Sequence, residues 1–245
     1  MLARLRSAGL VWPTLTLIPA LALLIGLGGW QWQRLAWKNS LIAQIESRTK
    51  AEPVALTEAI RRFRAGEDID YLRVRVRGRF DHSTERFLYM PGESGGGTHV
   101  YTRLETEGGG LLLVNRGFVT DAVKPPASRP AGQIEGPTEV VGLVRKPQPP
   151  GAFTPPSDPV RNLYFYADYA GMLGPPVNGL SPVPFFVDAD ATPNPGGWPQ
   201  GGVTRVVIPN RHFEYALTWW SFAASLIGVY GVFAWGRIKM VSREW

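Results

Sequence analysis

The sequence predicts a membrane protein in which two transmembrane α-helices, one near each end, bracket one β-rich extramembrane domain, antiparallel and barrel- or sandwich-like. Three observations predict it. No residue from Ser7 to Gln33 is charged, and none from Tyr215 to Gly236. A helix rises about 1.5 Å per residue, so each run can cross a hydrocarbon core of about 30 Å. Between the runs the composition is that of a soluble domain, with short apolar segments punctuated by glycine and proline.

The first span is placed at 10–30. Its apolar run exceeds the roughly 7–15 residues of a signal-peptide core, and no small-x-small cleavage motif precedes Trp30, so it reads as an uncleaved anchor. The second span, 212–236, is too long for an ordinary core helix and stops at Arg237 and Lys239. Arg4 and Arg6 precede the first span, while Arg237, Lys239 and Arg243 follow the second. The positive-inside rule therefore makes the tails 1–9 and 237–245 cytoplasmic and puts the domain 31–211 outside. The N-terminus has no Arg/Ser-rich transit pattern, so the expected site is a bacterial inner membrane with a periplasmic domain. Trp30, Trp32, Trp37, Trp219 and Trp220 cluster at the outer boundary, where amphipathic rings anchor. Trp30, Arg34, Trp37, Leu41 and Ile45 continue the first helix into water, with Arg34 and Lys38 in reach of lipid phosphates. Ala22/Gly26 and Ala224/Gly228 place small residues one turn apart, which suits close packing of the spans or of a client helix.

In the domain, Leu72, Val74, Val76 and Phe80 alternate with Arg73, Arg75, Arg77 and Arg79, a half-buried strand with one basic face. Further strands are expected at Arg86–Met90, Thr98–Glu105, Gly110–Val119, Thr138–Val144, Pro184–Ala189 and Gly202–Ile208. Turn signals separate them, and the proline-rich stretches 124–137 and 146–159 read as loops. Short strands at this spacing suggest a sheet curling on itself.

Chemistry is narrowed mostly by exclusion. The chain has 28 glycines and 22 prolines, no cysteine, and histidine only at 82, 99 and 212. Disulfides, zinc ribbons, iron–sulfur clusters and thiol redox chemistry are out. The triplets at Gly95–Gly97 and Gly108–Gly110 lack the Lys-Ser/Thr of a phosphate-binding loop and read as turns. No catalytic triad or acid–base pair can be argued. The arginine face at 73–79 does not indicate nucleic acid, because the domain is on the wrong side of the membrane. His82, Met90 and His99 follow no metal spacing, and Asp188 with Asp190 reads as turn-making rather than as a cation site. His212 stands apart, at the outer mouth of the second span, sharing one helical face with Tyr215 and Trp219. Two readings stand: hydrogen bonding to headgroups, or axial ligation of a haem whose propionates meet Arg211 or Arg34.

Several segments carry a resemblance. Gly26-Leu27-Gly28-Gly29-Trp30-Gln31-Trp32-Gln33-Arg34 with Trp37-Lys38, Val76-Arg77-Gly78-Arg79-Phe80-Asp81, Val114-Asn115-Arg116-Gly117-Phe118-Val119 and Phe186-Val187-Asp188-Ala189 occur in order. Gly196-Gly197, Gly201-Gly202-Val203-Thr204-Arg205 and Asn210-Arg211-His212-Phe213-Glu214-Tyr215-Ala216-Leu217-Thr218-Trp219 complete the set. Together they resemble the surfeit-locus family of cytochrome c oxidase assembly factors. The segment 162–168 keeps the family's Asn162 and Asp168 but has Tyr164 where tryptophan is usual, so it is given no cofactor role.

The resemblance implies a non-enzymatic assembly factor, a chaperone of respiratory complex IV, that acts on oxidase subunit I around haem a insertion. It implies subunit I, membrane lipid and haem a synthase as partners, and no nucleic acid. It also implies His212 as the metal ligand, with Tyr215 and Trp219 lining the cofactor. One imidazole leaves the iron easy to hand on, where a permanent electron-transfer haem would usually have two strong ligands. A tethered scaffold that stabilises nascent oxidase without touching haem is the alternative. An enzyme of haem maturation is the least favoured.

Overall fold

The computed structural model describes residues 6, 8–92, 95–204 and 209–242. Arg4, Arg205 and Arg243 lie outside them, as does segment 205–208 of the expected strand Gly202–Ile208. In chain order the elements are α1 (Val11–Lys50), β1 (Val54–Ala55), α2 (Leu56–Arg64), β2 (Arg73–Gly92), β3 (Gly95–Thr106), β4 (Gly110–Thr120), β5 (Pro137–Arg145), β6 (Leu163–Tyr164), α3 (Tyr169–Leu173), β7 (Ser181–Ala189) and α4 (His212–Val241). Two units result, Met1–Gln44 with Val207–Trp245, and Ile45–Val206.

The first unit is an antiparallel helical hairpin, and it makes the chain a membrane protein with two spans. α1 has 40 residues, so it is roughly 60 Å long, twice the hydrocarbon thickness, and its polar half emerges. The inward residues of α4 are His212, Ala216, Trp219, Ala223, Leu226 and Tyr230, alternating by four and three as a coiled-coil seam requires. Contacts run the length of the pair. Arg237 Nε donates to Ala8 O at 3.1 Å, Thr14 meets the Tyr230 hydroxyl, and Asn210 Nδ2 donates to Asn39 Oδ1 at 2.8 Å. Ala216 and Ala223 are the buried small residues of α4, and Gly28 packs beneath Trp220. This corrects one expectation. Ala22, Gly26, Ala224 and Gly228 are exposed, so they do not pack the spans together. Their i,i+4 spacing was right for a packing face, but the apolar residues that rotate the seam put them on the other side.

The second unit is a closed barrel. β2 pairs with β3, β3 with β4, β4 with β7, β7 with β5, and β5 returns to β2. Five strands in this order give an OB-type Greek-key barrel with no free edge. The sheet is mixed rather than wholly antiparallel, because β4 and β7 run parallel. Residues 121–180, β5 among them, form the long crossover from β4 to its parallel neighbour β7. The strands expected at 72–80 and 86–90 are one strand, β2. Its register shifts between Asp81 and Arg86, where Asp81 Oδ1 accepts from Ser83 N at 3.1 Å and Ser83 Oγ at 2.6 Å. A bulge of this kind bends a strand without ending it. Residues 202–204 form no strand.

Val74, Val76 and Phe80 point into the barrel, with Leu104, Leu112, Val114, Phe185 and Val187 from other strands. Leu56, Ile60 and Phe63 of α2 pack against this core, Phe63 lying 5.9 Å from Phe185. The outward arginines of β2 are met by acids: Glu139 is 3.3 Å from Arg75 and 2.9 Å from Arg77, and Asp190 is 3.3 Å from Arg73. β4 is buried on both faces, which explains the apolar run at 111–114. Its outward Leu111 and Leu113 lie in a second cluster with Leu88, Tyr164, Met172 and Leu173, from β2, β6 and α3.

Candidate functional site

His212 begins α4 at the mouth of the hairpin and is half-buried. Its Nδ1 lies 2.6 Å from Gln31 Oε1 on α1. An amide oxygen only accepts, so Nδ1 carries the proton and Nε2 keeps its lone pair. Nε2 makes no hydrogen bond among the described residues. The rings around this mouth are Trp32, whose centroid is 6.4 Å from Phe213 and 5.9 Å from Trp220. Tyr215 is exposed, and Trp219 is half-buried with its ring edge-on to Phe222. Lys38 Nζ donates to Pro209 O at 2.6 Å, and Arg34 lies 3.9 Å over the Trp37 ring. The sequence reading named His212, Tyr215 and Trp219 but missed Gln31, Trp32, Phe213 and Trp220. No local pattern pairs Gln31 with His212, which lie on different helices 181 positions apart.

The motifs of the barrel serve its architecture. Arg116 is 1 % exposed, 4.8 Å over the Phe80 ring and 3.5 Å from Glu85 Oε1. Glu85, also buried, forms a forked ion pair with Arg129 and accepts from Gln133 Nε2 at 3.2 Å. Burial pushes the Arg116 guanidinium down to about 10. Gly117 has φ +118°, and a Cβ there would run into the Gln200 backbone, so only glycine fits. In segment 162–168, Asn162 Nδ2 donates to Glu85 O at 2.7 Å, Tyr164 is buried and bonds Gly171 O, and Asp168 Oδ1 caps α3 by accepting from Gly171 N. His82 belongs to the Glu85 cluster, its Nε2 2.9 Å from Ile134 O and its Nδ1 3.3 Å from Arg116, whereas His99 contacts Asn115. Among the described residues, no group of three or more His, Asp or Glu side chains is arranged to hold a metal ion.

A cleft of about 940 Å³ opens on the outer face of the barrel beside β3, β4 and β7. Its polar floor is a chain of side chains. Asn115 Nδ2 lies 3.4 Å from His99 Nδ1 and donates to Asp188 Oδ1 at 3.0 Å; Thr204 Oγ1 donates to Asp188 Oδ2 at 2.8 Å; Arg145 Nε stands 3.9 Å from the same oxygen. Burial pushes the Asp188 carboxyl up, against the donors from Thr204 and Asn115, and pushes His99 down to about 4. Asp190 is indeed a turn-maker, its Oδ1 accepting from Thr192 N at 3.0 Å. Asp188 is not, and the signal was there: it and Asn115 each interrupt an apolar run, as buried polar residues in a sheet do.

The model of the SURF1 family matches residues 18–224. The chain belongs to the SURF1 family. Surfeit locus protein 1 of Mus musculus is 38% identical over 228 residues, 86% of this chain and 71% of that protein. The Homo sapiens protein of the same name is 38% identical over 229 residues, 86% of this chain and 73% of its own length. A SURF1-like protein of Monosiga brevicollis is 34% identical over 239 residues, 92% of this chain and 87% of its own. The SURF1 match thus spans most of the first apolar helix, the whole barrel and the His212 mouth, the stretches on which the resemblance rested.

Proposed function

We propose that this SURF1-family protein is a non-catalytic assembly factor for haem–copper cytochrome c oxidase, acting on subunit I in the delivery or insertion of haem a. It works in a bacterial inner membrane, with both termini cytoplasmic and the barrel periplasmic, beside haem a synthase. One observation carries the reading. The His212 imidazole is held through Nδ1 by Gln31, which leaves Nε2, the atom that iron ligation uses, with no hydrogen-bond partner among the described residues.

The residues fit a haem in their chemistry. One imidazole is the donor, and aromatic rings at a membrane mouth suit a porphyrin body better than water does. His212 would ligate, Gln31 would hold the tautomer, and Tyr215 and Trp219 would line the group. Bound there, haem a would supply the redox-active iron porphyrin destined for subunit I. The scaffold reading draws support from the barrel, where Asn115, Arg116 and Gly117 are engaged in holding the fold together.

The test is an absorption spectrum of the full chain purified from cells that make haem a. The expected result is a haem band that is lost in His212→Ala and weakened in Gln31→Ala, where the loss of a supporting hydrogen bond lowers affinity by roughly 10–100-fold. A colourless wild-type protein that still co-purifies with subunit I would replace haem delivery with the scaffold.

A further inference from the structure

The cleft on the barrel is not used by the hairpin-mouth reading, and its hydrogen-bonding capacity is lopsided. Its acceptors are filled. Asn115 Oδ1 takes Gly117 N at 3.1 Å, and both Asp188 oxygens take donors. One of its donors is not. Nδ1 of His99 accepts from Asn115, which puts the His99 proton on Nε2, and that N–H has no partner among the described residues. Burial keeps this ring neutral at physiological pH. At the other end of the same polar chain, Arg145 Nη1 is closed off from the cleft and pairs with Asp70 Oδ2 at 3.6 Å. The His99 N–H is therefore the donor the cleft offers, and an occupant that accepts from it gains more than its contact area suggests.

Charge narrows the class further. The guanidinium of Arg145 already faces Asp70 at 3.6 Å and Asp188 at 3.9 Å, and Lys146 faces Asp68 at 2.7 Å. An added anion would meet the Asp188 carboxyl in the floor, where Arg145 and Lys146, among the described residues, already face acids. The remaining walls are apolar and aromatic: Leu88, Met90, Tyr101, Phe118 and Phe186. The volume lies within the roughly 300–1,000 Å³ of small-ligand sites.

We propose that this cleft binds an uncharged molecule with an apolar or aromatic body whose carbonyl oxygen accepts from His99 Nε2. The proposal stands independently of the His212 reading, since it concerns other residues in the other unit.

The chain has three histidines, so a spectrum of the full protein labelled with 15N-histidine, in lipid nanodiscs, resolves each ring. 2-Acetonaphthone, 2-naphthoate and 2-ethylnaphthalene serve as probes, with empty nanodiscs subtracted. The ketone should shift the His99 Nε2 resonance and leave those of His82 and His212 in place. It should bind about tenfold or more tighter than either the carboxylate or the hydrocarbon. His99→Phe should erase the preference for the ketone over the hydrocarbon while keeping hydrocarbon affinity, and Thr120→Trp, at the cleft wall, should block all three. Equal binding of ketone and hydrocarbon, tighter binding of the carboxylate, or an unmoved His99 resonance in the wild type would each overturn the proposal. The last readout needs no variant to fold.

Discussion

Glu85 is the residue on which the barrel's buried charge depends. It is 4 % exposed and faces Arg116 and Arg129, which are equally buried. Removing one partner of a buried ion cluster leaves uncompensated charge in low dielectric, at a cost of about 3–5 kcal/mol. Glu85→Ala should therefore lower the unfolding free energy read from denaturant curves by that much. Glu107→Ala, at an exposed turn, should leave it unchanged. His99 sets a pH dependence of definite sign. Its folded value, about 4, lies below the unfolded 6.5, so the neutral ring stabilises the fold above pH 6.5. That contribution, on the order of 3 kcal/mol, is lost as pH falls from 6.5 toward 4. Asp188, pushed up by burial, has the opposite slope, losing stability as pH rises above the ordinary carboxylate range. Denaturation curves of wild type and His99→Phe should therefore diverge in steepness between pH 6.5 and 4, the variant being flatter. Parallel pH profiles would contradict the neutral, buried ring.

At the scale of elements, the seam of the hairpin can be tested at two glycines two residues apart. Gly28 packs under Trp220, while Gly26 faces outward with open space around it. Gly28→Leu should destabilise the hairpin by about 1–3 kcal/mol, the cost of overpacking, and Gly26→Leu should cost much less. Thermal melting in detergent separates the two. The same elements show what the sequence could and could not disclose. The alternation from Leu72 to Phe80 matched the burial of β2 residue by residue, because a half-buried strand writes its two faces directly into the chain. The small pairs at Ala22/Gly26 and Ala224/Gly228 misled, because spacing shows that residues share a face but not which face meets the partner. α2 went unread, although Glu58 with Arg61 and Arg62 at i+3 and i+4 was a legible helix signal. The parallel pairing of β4 with β7 and the polar chain from His99 to Arg145 were out of reach, since each brings together residues from separate elements and no local pattern records such a meeting. His212 was legible by its position at the span's mouth. Its partner Gln31, distant in sequence, was not.

At the scale of the whole molecule, two apolar helices flank in chain order a barrel whose five main strands, among the described residues, each pair on both sides. A barrel with no cysteine must hold itself by its core and its buried ion cluster, as this one does. The central claim is that the hairpin carries the barrel on the outer side of the membrane, where the His212 mouth and subunit I would meet. The absence of cysteine makes this directly measurable. Single cysteines at Glu107, on the exposed β3–β4 turn, and at Ser242, after α4, can be offered an impermeant thiol reagent in intact cells. The account predicts labelling of the cysteine at 107 from outside and of the one at 242 only after the membrane is opened. Labelling of 242 in intact cells, with 107 protected until lysis, would contradict it.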